Sequence, residues 1–164
     1  MKKIFAIFSL LLVLVSGCSC KDKEIEKFYL EEKYYNRDDQ ATPYIHAESY
    51  DEIQTLIDNE ESFALLIYEV SCAASSAFIT VLNEYLEETG LIFYNIRMWN
   101  VQEAAPNVIS ENIKYRPSFA LFNKGEYVAS IRPDIEEHED YYMSADKFGE
   151  WFETYVNLNI EEAN

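Results

Sequence analysis

Residues 63–70 form a nearly unbroken apolar run, Phe-Ala-Leu-Leu-Ile-Tyr-Glu-Val, near the middle of the chain. A run of this length without alternating polar positions is typical of a central strand that is covered on both faces. Helical patterns lie on either side of it. Ser49 and Glu52 have the spacing of a capping box that begins one helix, and a second helix is predicted over about residues 71–88, ending before Gly90. The run therefore predicts a sheet with helices packed against it.

The segments around this run complete the predicted sheet. Further strands are predicted at residues 44–47, 91–96, 119–122 and 127–131. The last two flank Asn123-Lys124-Gly125-Glu126, a strong hairpin signal. Further helices are predicted between Asn100 and Ile113, with an interruption at Pro106, and from Ser144 onward. Alternating strands and helices favour parallel pairing and the hairpin adds an antiparallel pair, so we expect an α/β fold with a mixed central sheet of about four to five strands flanked by helices.

The start of the chain has the layout of a secretory signal peptide: Lys2 and Lys3 precede an apolar run over residues 4–15. This run is shorter than the about 20 apolar residues that a membrane-spanning helix needs. It ends in Val15-Ser16-Gly17-Cys18, which resembles the lipobox of bacterial lipoproteins. In that family the cysteine thiol receives a diacylglyceryl group and the leader is then removed. The resemblance implies a lipoprotein signal peptide over residues 1–17, lipidation of Cys18 and attachment to the extracytoplasmic face of the cell membrane. The alternative is an ordinary signal peptide that contains a cysteine.

The chain is strongly acidic, with 30 Asp and Glu residues against 13 Lys and Arg residues and a formal net charge of −17. Nucleic acid and anionic lipid should both repel it, so we expect no nucleic-acid partner, and membrane attachment only through lipid on Cys18. Residues 18–43 are rich in charged residues and are predicted to form an acidic, lipid-anchored tether. The domain is then expected to occupy residues 44–160, with a tail over residues 161–164.

Two segments of the predicted domain carry a family resemblance. Ser71-Cys72-Ala73-Ala74-Ser75 follows the central strand, and residues 113–126 lead through Arg116 and Pro117 into the hairpin. Together with the order of strands and helices, these segments resemble the thioredoxin-like fold. The resemblance implies that Cys72 is the reactive thiol of a Cys-x-x-Ser site, that Pro117 is a cis-proline, and that the backbone at Arg116 pairs with an extended substrate segment.

The predicted position of Cys72 favours a reactive thiol. In the first turn of a helix, a thiol is close to the positive end of the helix dipole and to unpaired N–H groups, and both favour the thiolate. The charge of Arg116 is expected to attract an acidic partner or to favour the thiolate further. The alternatives are that Cys72 is an inert buried cysteine and that Pro117 is an ordinary trans-proline.

Three positions depart from the thioredoxin pattern. Ser75 replaces the second cysteine, Leu66 replaces the buried acid, and Ser71 replaces the aromatic residue before the first cysteine. A serine hydroxyl is too basic to displace a disulfide, so a dithiol cycle cannot close within this site.

Two functions remain open after these departures. The favoured function is that of a membrane-anchored, redox-degenerate domain that binds partner proteins in the groove beside Pro117. The alternative is monothiol disulfide exchange or isomerase-like activity on exported proteins. In that case Cys72 and Ser75 form the site, and Cys20 or an external thiol resolves the mixed disulfide. Exported or membrane proteins are the expected partners in both cases.

No cofactor or metal site is predicted. His46 and His138 are the only histidines, and neither has a catalytic spacing to Cys72. The acidic segment at residues 136–140 lacks the glycine and the spaced oxygens of a calcium loop, so it is expected to be a solvated loop.

Overall fold

The computed structural model describes residues 25–35, 42–97 and 105–158. In chain order, the described elements are a 3-10 helix (Glu32–Tyr34), β1 (Tyr44–Ala47), α1 (Tyr50–Asp58), β2 (Phe63–Tyr68), α2 (Ala73–Thr89), β3 (Phe93–Arg97), α3 (Asn107–Asn112), β4 (Ser118–Asn123), β5 (Glu126–Ile131), a second 3-10 helix (Glu136–Tyr142) and α4 (Ala145–Tyr155).

The five strands form one sheet in the order β1-β3-β2-β4-β5. β3 pairs in parallel with both β1 and β2, whereas β4 is antiparallel to both β2 and β5. Residues 63–67 of β2 are buried, as expected for a strand in the middle of a sheet that helices flank. The predicted α/β fold with a mixed central sheet is confirmed.

The antiparallel pairing of β2 and β4 brings two loops together. Ile67, near the end of β2, lies opposite Ser118, the first residue of β4. The loop that leaves β2 toward Cys72 and the loop that enters β4 from Pro117 therefore meet at one edge of the sheet. We refer to this part of the molecule as the Cys72 edge.

Aromatic rings fill the core between the sheet and α4. Phe148 and Phe152 of α4 pack on Phe93 of β3 and Phe119 of β4, with ring centroids 5.0 to 6.3 Å apart. All four side chains are fully buried. Burial of each such ring contributes about 1.5–3 kcal/mol. This packing fixes α4, and with it the loop between β5 and α4 that reaches the Cys72 edge.

The structure corrects the tether that was predicted over residues 18–43. The N–H of Phe28 donates to the carbonyl oxygen of Tyr155, and the N–H of Asn157 donates to the carbonyl oxygen of Phe28, both at 2.8 Å. The side chains that this segment buries are Phe28, Leu30, Tyr34 and Tyr35. Residues 25–35 therefore belong to the packed domain, because most of their apolar side chains are buried against it while their charged side chains face solvent. The remaining parts of the predicted tether, 18–24 and 36–41, lie outside the described residues.

Smaller differences concern local structure. Ser49 is the N-cap of α1, but its side chain makes no capping bond, and Glu52 accepts instead from the N–H of Glu48 at 3.3 Å. The acidic segment at residues 136–140 keeps its carboxylates exposed, as expected, but it forms part of the 3-10 helix Glu136–Tyr142 and not an irregular loop. The helix start predicted at Asn100 lies outside the described residues. Within the described ranges, no helix has the length and apolar character needed to cross a bilayer.

Candidate functional site

Cys72 is the N-cap residue of α2, at the end of the loop that leaves β2. Its N–H donates to the carbonyl oxygen of Glu69 at 3.2 Å, and its own carbonyl oxygen accepts from the N–H of Ser76 at 3.1 Å. The side chain is a free, half-buried thiol. Because α2 is 17 residues long, this thiol lies at the positive end of a substantial helix dipole.

The pKa of the Cys72 thiol is lowered from its ordinary value. The main cause is a hydrogen bond from the Ser75 backbone N–H, and the Ser75 hydroxyl and the Ala74 N–H act in the same direction. Burial and the negative charge of Glu69 oppose them. Donors stabilise a charged sulfur more than a neutral one, so these surroundings favour the thiolate. They are typical of a reactive cysteine rather than of an inert buried one.

Ser75 is fully buried in the first turn of α2. Its Oγ accepts a hydrogen bond from the N–H of Glu69 at 3.1 Å, and its hydroxyl also hydrogen-bonds with Cys72. One side chain thus joins the end of β2 to the start of α2. In this arrangement Ser75 holds and polarises the thiol, whereas the second cysteine of a dithiol enzyme would attack a mixed disulfide.

Arg116 and Pro117 enter the Cys72 edge from the side of β4. The peptide bond between them is cis, and Pro117 is buried. Nη1 of Arg116 donates to Oε2 of Glu69 at 2.8 Å, and both side chains are partly exposed. Since the Glu69 carboxylate raises the pKa of Cys72, the guanidinium offsets the group that disfavours the thiolate. Arg116 is therefore oriented toward Glu69, a contact that the sequence did not predict.

Two contacts of this edge were not predicted from the sequence. Glu69 connects the Cys72 loop to the Pro117 loop. The sequence feature that could have indicated this role is that Glu69 is the single charged residue in the apolar run 63–70. Tyr142 donates a hydrogen bond from its hydroxyl to the carbonyl oxygen of Pro117 at 2.8 Å. No local pattern around Tyr142 indicated this contact.

The surface around the thiol also carries apolar side chains. Val70 precedes Cys72 and is 54% exposed, and Tyr115 leads into Pro117 and is 52% exposed. Leu66, at the position of the thioredoxin acid, is fully buried in β2. Val70 and Tyr115 are thus exposed on the two loops that meet at the Cys72 edge.

The two histidines have structural surroundings. Nδ1 of His138 accepts from the N–H of Arg132 at 3.1 Å, and burial lowers the pKa of His138. Nδ1 of His46 lies 2.7 Å from Oδ1 of Asn95, its partner on β3. Within the described ranges, no group of three or more His, Cys, Asp or Glu side chains is arranged to hold a metal ion. Cys18 and Cys20, the predicted lipidation site and a candidate resolving thiol, lie outside the described residues.

No protein-family model matches the chain, and no curated protein matches it either. Several solved structures are similar to it. A mutant thioredoxin from Halobacterium salinarum NRC-1 is 19% identical, with 73% of this chain and 97% of that chain covered and a TM-score of 0.50. A putative oxidoreductase with a thioredoxin fold is 20% identical, with 65% and 91% covered and a TM-score of 0.48. Thioredoxin O2 from Arabidopsis thaliana in its oxidised state is 14% identical, with 68% and 92% covered and a TM-score of 0.47.

Identities this low show a fold and carry over no activity. The likeness to the Halobacterium salinarum protein agrees with the mixed five-stranded sheet and with its flanking helices. The domain of this chain has a thioredoxin-like fold.

Proposed function

We propose that this chain is a lipoprotein of the extracytoplasmic face of the cell membrane, and that its thioredoxin-like domain exchanges disulfide bonds in exported proteins through the single thiol of Cys72. The observation that carries the proposal is the lowered pKa of Cys72 at the N-cap of α2. The thiolate is the nucleophilic form of cysteine, so a lowered pKa increases the reactive fraction near neutral pH. This favours exchange over the noncovalent binding that the sequence alone favoured.

The first step is attack of the Cys72 thiolate on one sulfur of a substrate disulfide. A new S–S bond forms between Cys72 and that sulfur while the substrate S–S bond breaks. The second substrate sulfur leaves as a thiolate and takes a proton from solvent. The hydrogen bonds from Ser75 and Ala74 that favour the thiolate before attack become weaker as the sulfur becomes neutral.

The second step needs a thiol from outside the Cys72 site, since the Ser75 hydroxyl cannot displace a disulfide. The thiolate that left in the first step attacks a second disulfide of the same substrate, so that a new S–S bond forms there and the displaced sulfur becomes a thiolate. That thiolate attacks the substrate sulfur of the mixed disulfide, forms the last S–S bond and releases Cys72 as a thiolate. The net result is a rearranged substrate disulfide. No electrons are gained or lost overall, so the cycle consumes neither oxidant nor reductant.

The surface of the Cys72 edge supports a polypeptide substrate. Val70 and Tyr115 offer exposed apolar contacts on the two loops that meet there. The Arg116 guanidinium and the Glu69 carboxylate neutralise each other as an ion pair within this edge. The family resemblance adds that the backbone at Arg116 pairs with an extended substrate segment.

Membrane attachment is supported by the sequence around Val15-Ser16-Gly17-Cys18. Two acyl chains on Cys18 would give stable anchoring, whereas one chain binds only marginally. The test is to produce the full chain and a Cys18→Ala variant in a bacterium that processes lipoproteins, and to follow incorporation of a labelled fatty acid. We expect label and membrane association in the wild type only. Equal membrane association of both proteins would contradict the lipid anchor.

The exchange activity is tested with a small secreted protein whose disulfides have been scrambled. The reduced full-length lipoprotein in detergent is added without any other thiol, and recovery of the native substrate is followed. We expect recovery with the wild type and with Cys20→Ala, and none with Cys72→Ala. Recovery that survives Cys72→Ala would contradict the proposed site. The rate of alkylation of Cys72 against pH supplies a second measurement, and a pKa at or above that of free cysteine would contradict a monothiol catalyst.

Noncovalent partner binding remains a second candidate because of one observation. Leu66 is fully buried where thioredoxins have an acid, so the site has no side-chain proton relay at that position. Under this alternative, partners recovered from membranes with the wild-type protein should be recovered equally well with Cys72→Ala.

A further inference from the structure

Tyr142 contacts both sides of the Cys72 edge. It ends the 3-10 helix Glu136–Tyr142 in the loop between β5 and α4. Its hydroxyl donates to the carbonyl oxygen of Pro117 at 2.8 Å. Its ring packs on Phe78, with centroids 4.4 Å apart, and Phe78 is fully buried in α2, the helix that begins at Cys72. One side chain thus joins the cis-proline loop to the helix that carries the thiol.

The segment that carries Tyr142 is itself held in place. The N–H of Arg132, at its start, donates to Nδ1 of His138, and Nη1 of Arg132 donates to the carbonyl oxygen of Asn112, both at 3.1 Å. At its other end, Ser144 is the N-cap of α4, and its Oγ accepts from the N–H of Lys147 at 3.4 Å. The hydroxyl of Tyr142 is therefore presented to Pro117 from a fixed support.

The phenol of Tyr142 is suited to donate. Burial raises its pKa well above the ordinary value for tyrosine, so it stays neutral and keeps its proton. Pro117 has no N–H of its own, and its carbonyl group is one of the few backbone groups through which this loop can be fixed. A second contact, from Oγ of Ser118 to the carbonyl oxygen of Tyr115 at 2.7 Å, fixes the loop on the other side of the proline.

We infer that Tyr142 is a positioning residue for the substrate polypeptide: by holding the Pro117 carbonyl, it sets the distance between the Arg116 backbone and the Cys72 sulfur. This inference rests on the proposed disulfide exchange and assigns a role in it to a residue outside the Cys-x-x-Ser segment. Tyr142 acts on the substrate only through the Pro117 loop, and it does not act on the thiol. It therefore matters for a disulfide within an extended peptide, and it does not matter for a small disulfide that cannot reach Arg116.

The test compares Tyr142→Phe with the wild type, because phenylalanine keeps the ring packing on Phe78 and removes only the hydroxyl group, which bonds to the Pro117 carbonyl oxygen and also to the Ser118 side chain. Mixed-disulfide formation is measured with an extended peptide disulfide and with a small aromatic disulfide such as dithiobis-nitrobenzoate. We expect the rate with the peptide to fall about tenfold, as for the loss of one hydrogen bond. The rate with the small disulfide and the alkylation pKa of Cys72 should not change. The matched control is Tyr141→Phe, which should leave both rates unchanged.

Each other outcome is decisive. Equal peptide rates for the wild type and Tyr142→Phe would overturn the positioning role while leaving the exchange activity intact. A parallel fall in both rates, or a shift in the pKa of Cys72, would assign Tyr142 to the general integrity of the site and overturn the inference. A wild-type protein that reacts with neither disulfide would overturn the proposed function, and the inference with it.

Discussion

Ser75→Ala removes a hydroxyl group that has two partners. Its Oγ accepts from the N–H of Glu69 at 3.1 Å, and its O–H hydrogen-bonds to Cys72. The first bond is present whether or not the thiol is ionised. The second bond stabilises the thiolate in particular. The substitution should therefore have one cost that does not depend on pH and a second cost that does.

The first cost follows from the Glu69 N–H, which loses its acceptor. A buried donor without a partner costs about 1–3 kcal/mol, and since this hydrogen bond is only partly buried we expect about 1–2 kcal/mol. The second cost follows from linkage. The folded pKa of Cys72 is lowered relative to about 8.5 in an unfolded chain, so the thiolate adds stability that is complete above the unfolded pKa and is lost as pH falls through the folded pKa. Without the Ser75 hydroxyl, part of that gain disappears.

The assay is urea unfolding of reduced wild type and Ser75→Ala at about pH 5 and about pH 9.5, on either side of the window between the two pKa values. The difference in the free energy of unfolding should be larger at the higher pH. The same pair of measurements in a Cys72→Ala background should give a difference that is equal at both pH values. An equal difference at both pH values with Cys72 present would refute the argument, and so would a pH-dependent difference in its absence.

Phe28→Ala should lower the free energy of unfolding by about 3 kcal/mol, the usual cost of removing a buried aromatic side chain. If urea denaturation detects no change, residues 25–35 are a tether and not part of the packed domain. Gly125→Ala should lower the free energy of unfolding more than Gly90→Ala does. Both glycines have positive φ, but only a Cβ at residue 125 would collide with a backbone carbonyl of α1. Equal losses of unfolding free energy for the two variants would contradict this packing. Glu69→Gln should lower the pKa of Cys72 further, since it removes a negative charge that raises it, and an increase in the pKa from alkylation rates would show the sign to be wrong.

The fold follows from patterns that are local in sequence. The apolar run 63–70 becomes the central strand β2 because it has no polar face to leave in solvent. The hairpin forms where predicted because Lys124 and Gly125 both have positive φ, 52° and 75°, as a tight turn between twisted strands requires. Gly90, also in the left-handed region, ends α2 where the sequence places its stop.

The site could be predicted only in part, because its geometry depends on contacts between distant segments. The position of Cys72 at a helix start is local and could be inferred from the strand and helix that surround it. The pairing of Glu69 with Arg116 joins residues 47 apart in sequence, and the contact of Tyr142 with Pro117 joins residues 25 apart. Neither follows from composition or periodicity, since each depends on which loops meet at one edge of the sheet.

The error in the N-terminal segment has a similar physical origin. The charged residues around Phe28 and Tyr34 dominate the average composition of a window, and that average predicts a solvated tether. Burial is decided by individual side chains. Most aromatic side chains of this segment are buried against the domain, while Lys33 stays exposed and pairs with Glu61.

The hydrogen bonds of Phe28 with Tyr155 and Asn157 make the first and last described segments neighbours. The two ends of the described domain therefore lie next to each other in space. A short linker between the two segments, combined with a new opening in an exposed turn away from Cys72, should give a circular permutant that folds to the same sheet. The first and last described segments therefore meet beside the C-terminal end of α4. The distance between labels placed on these two segments would report directly on whether residues 25–35 stay packed beside the C-terminal end of α4.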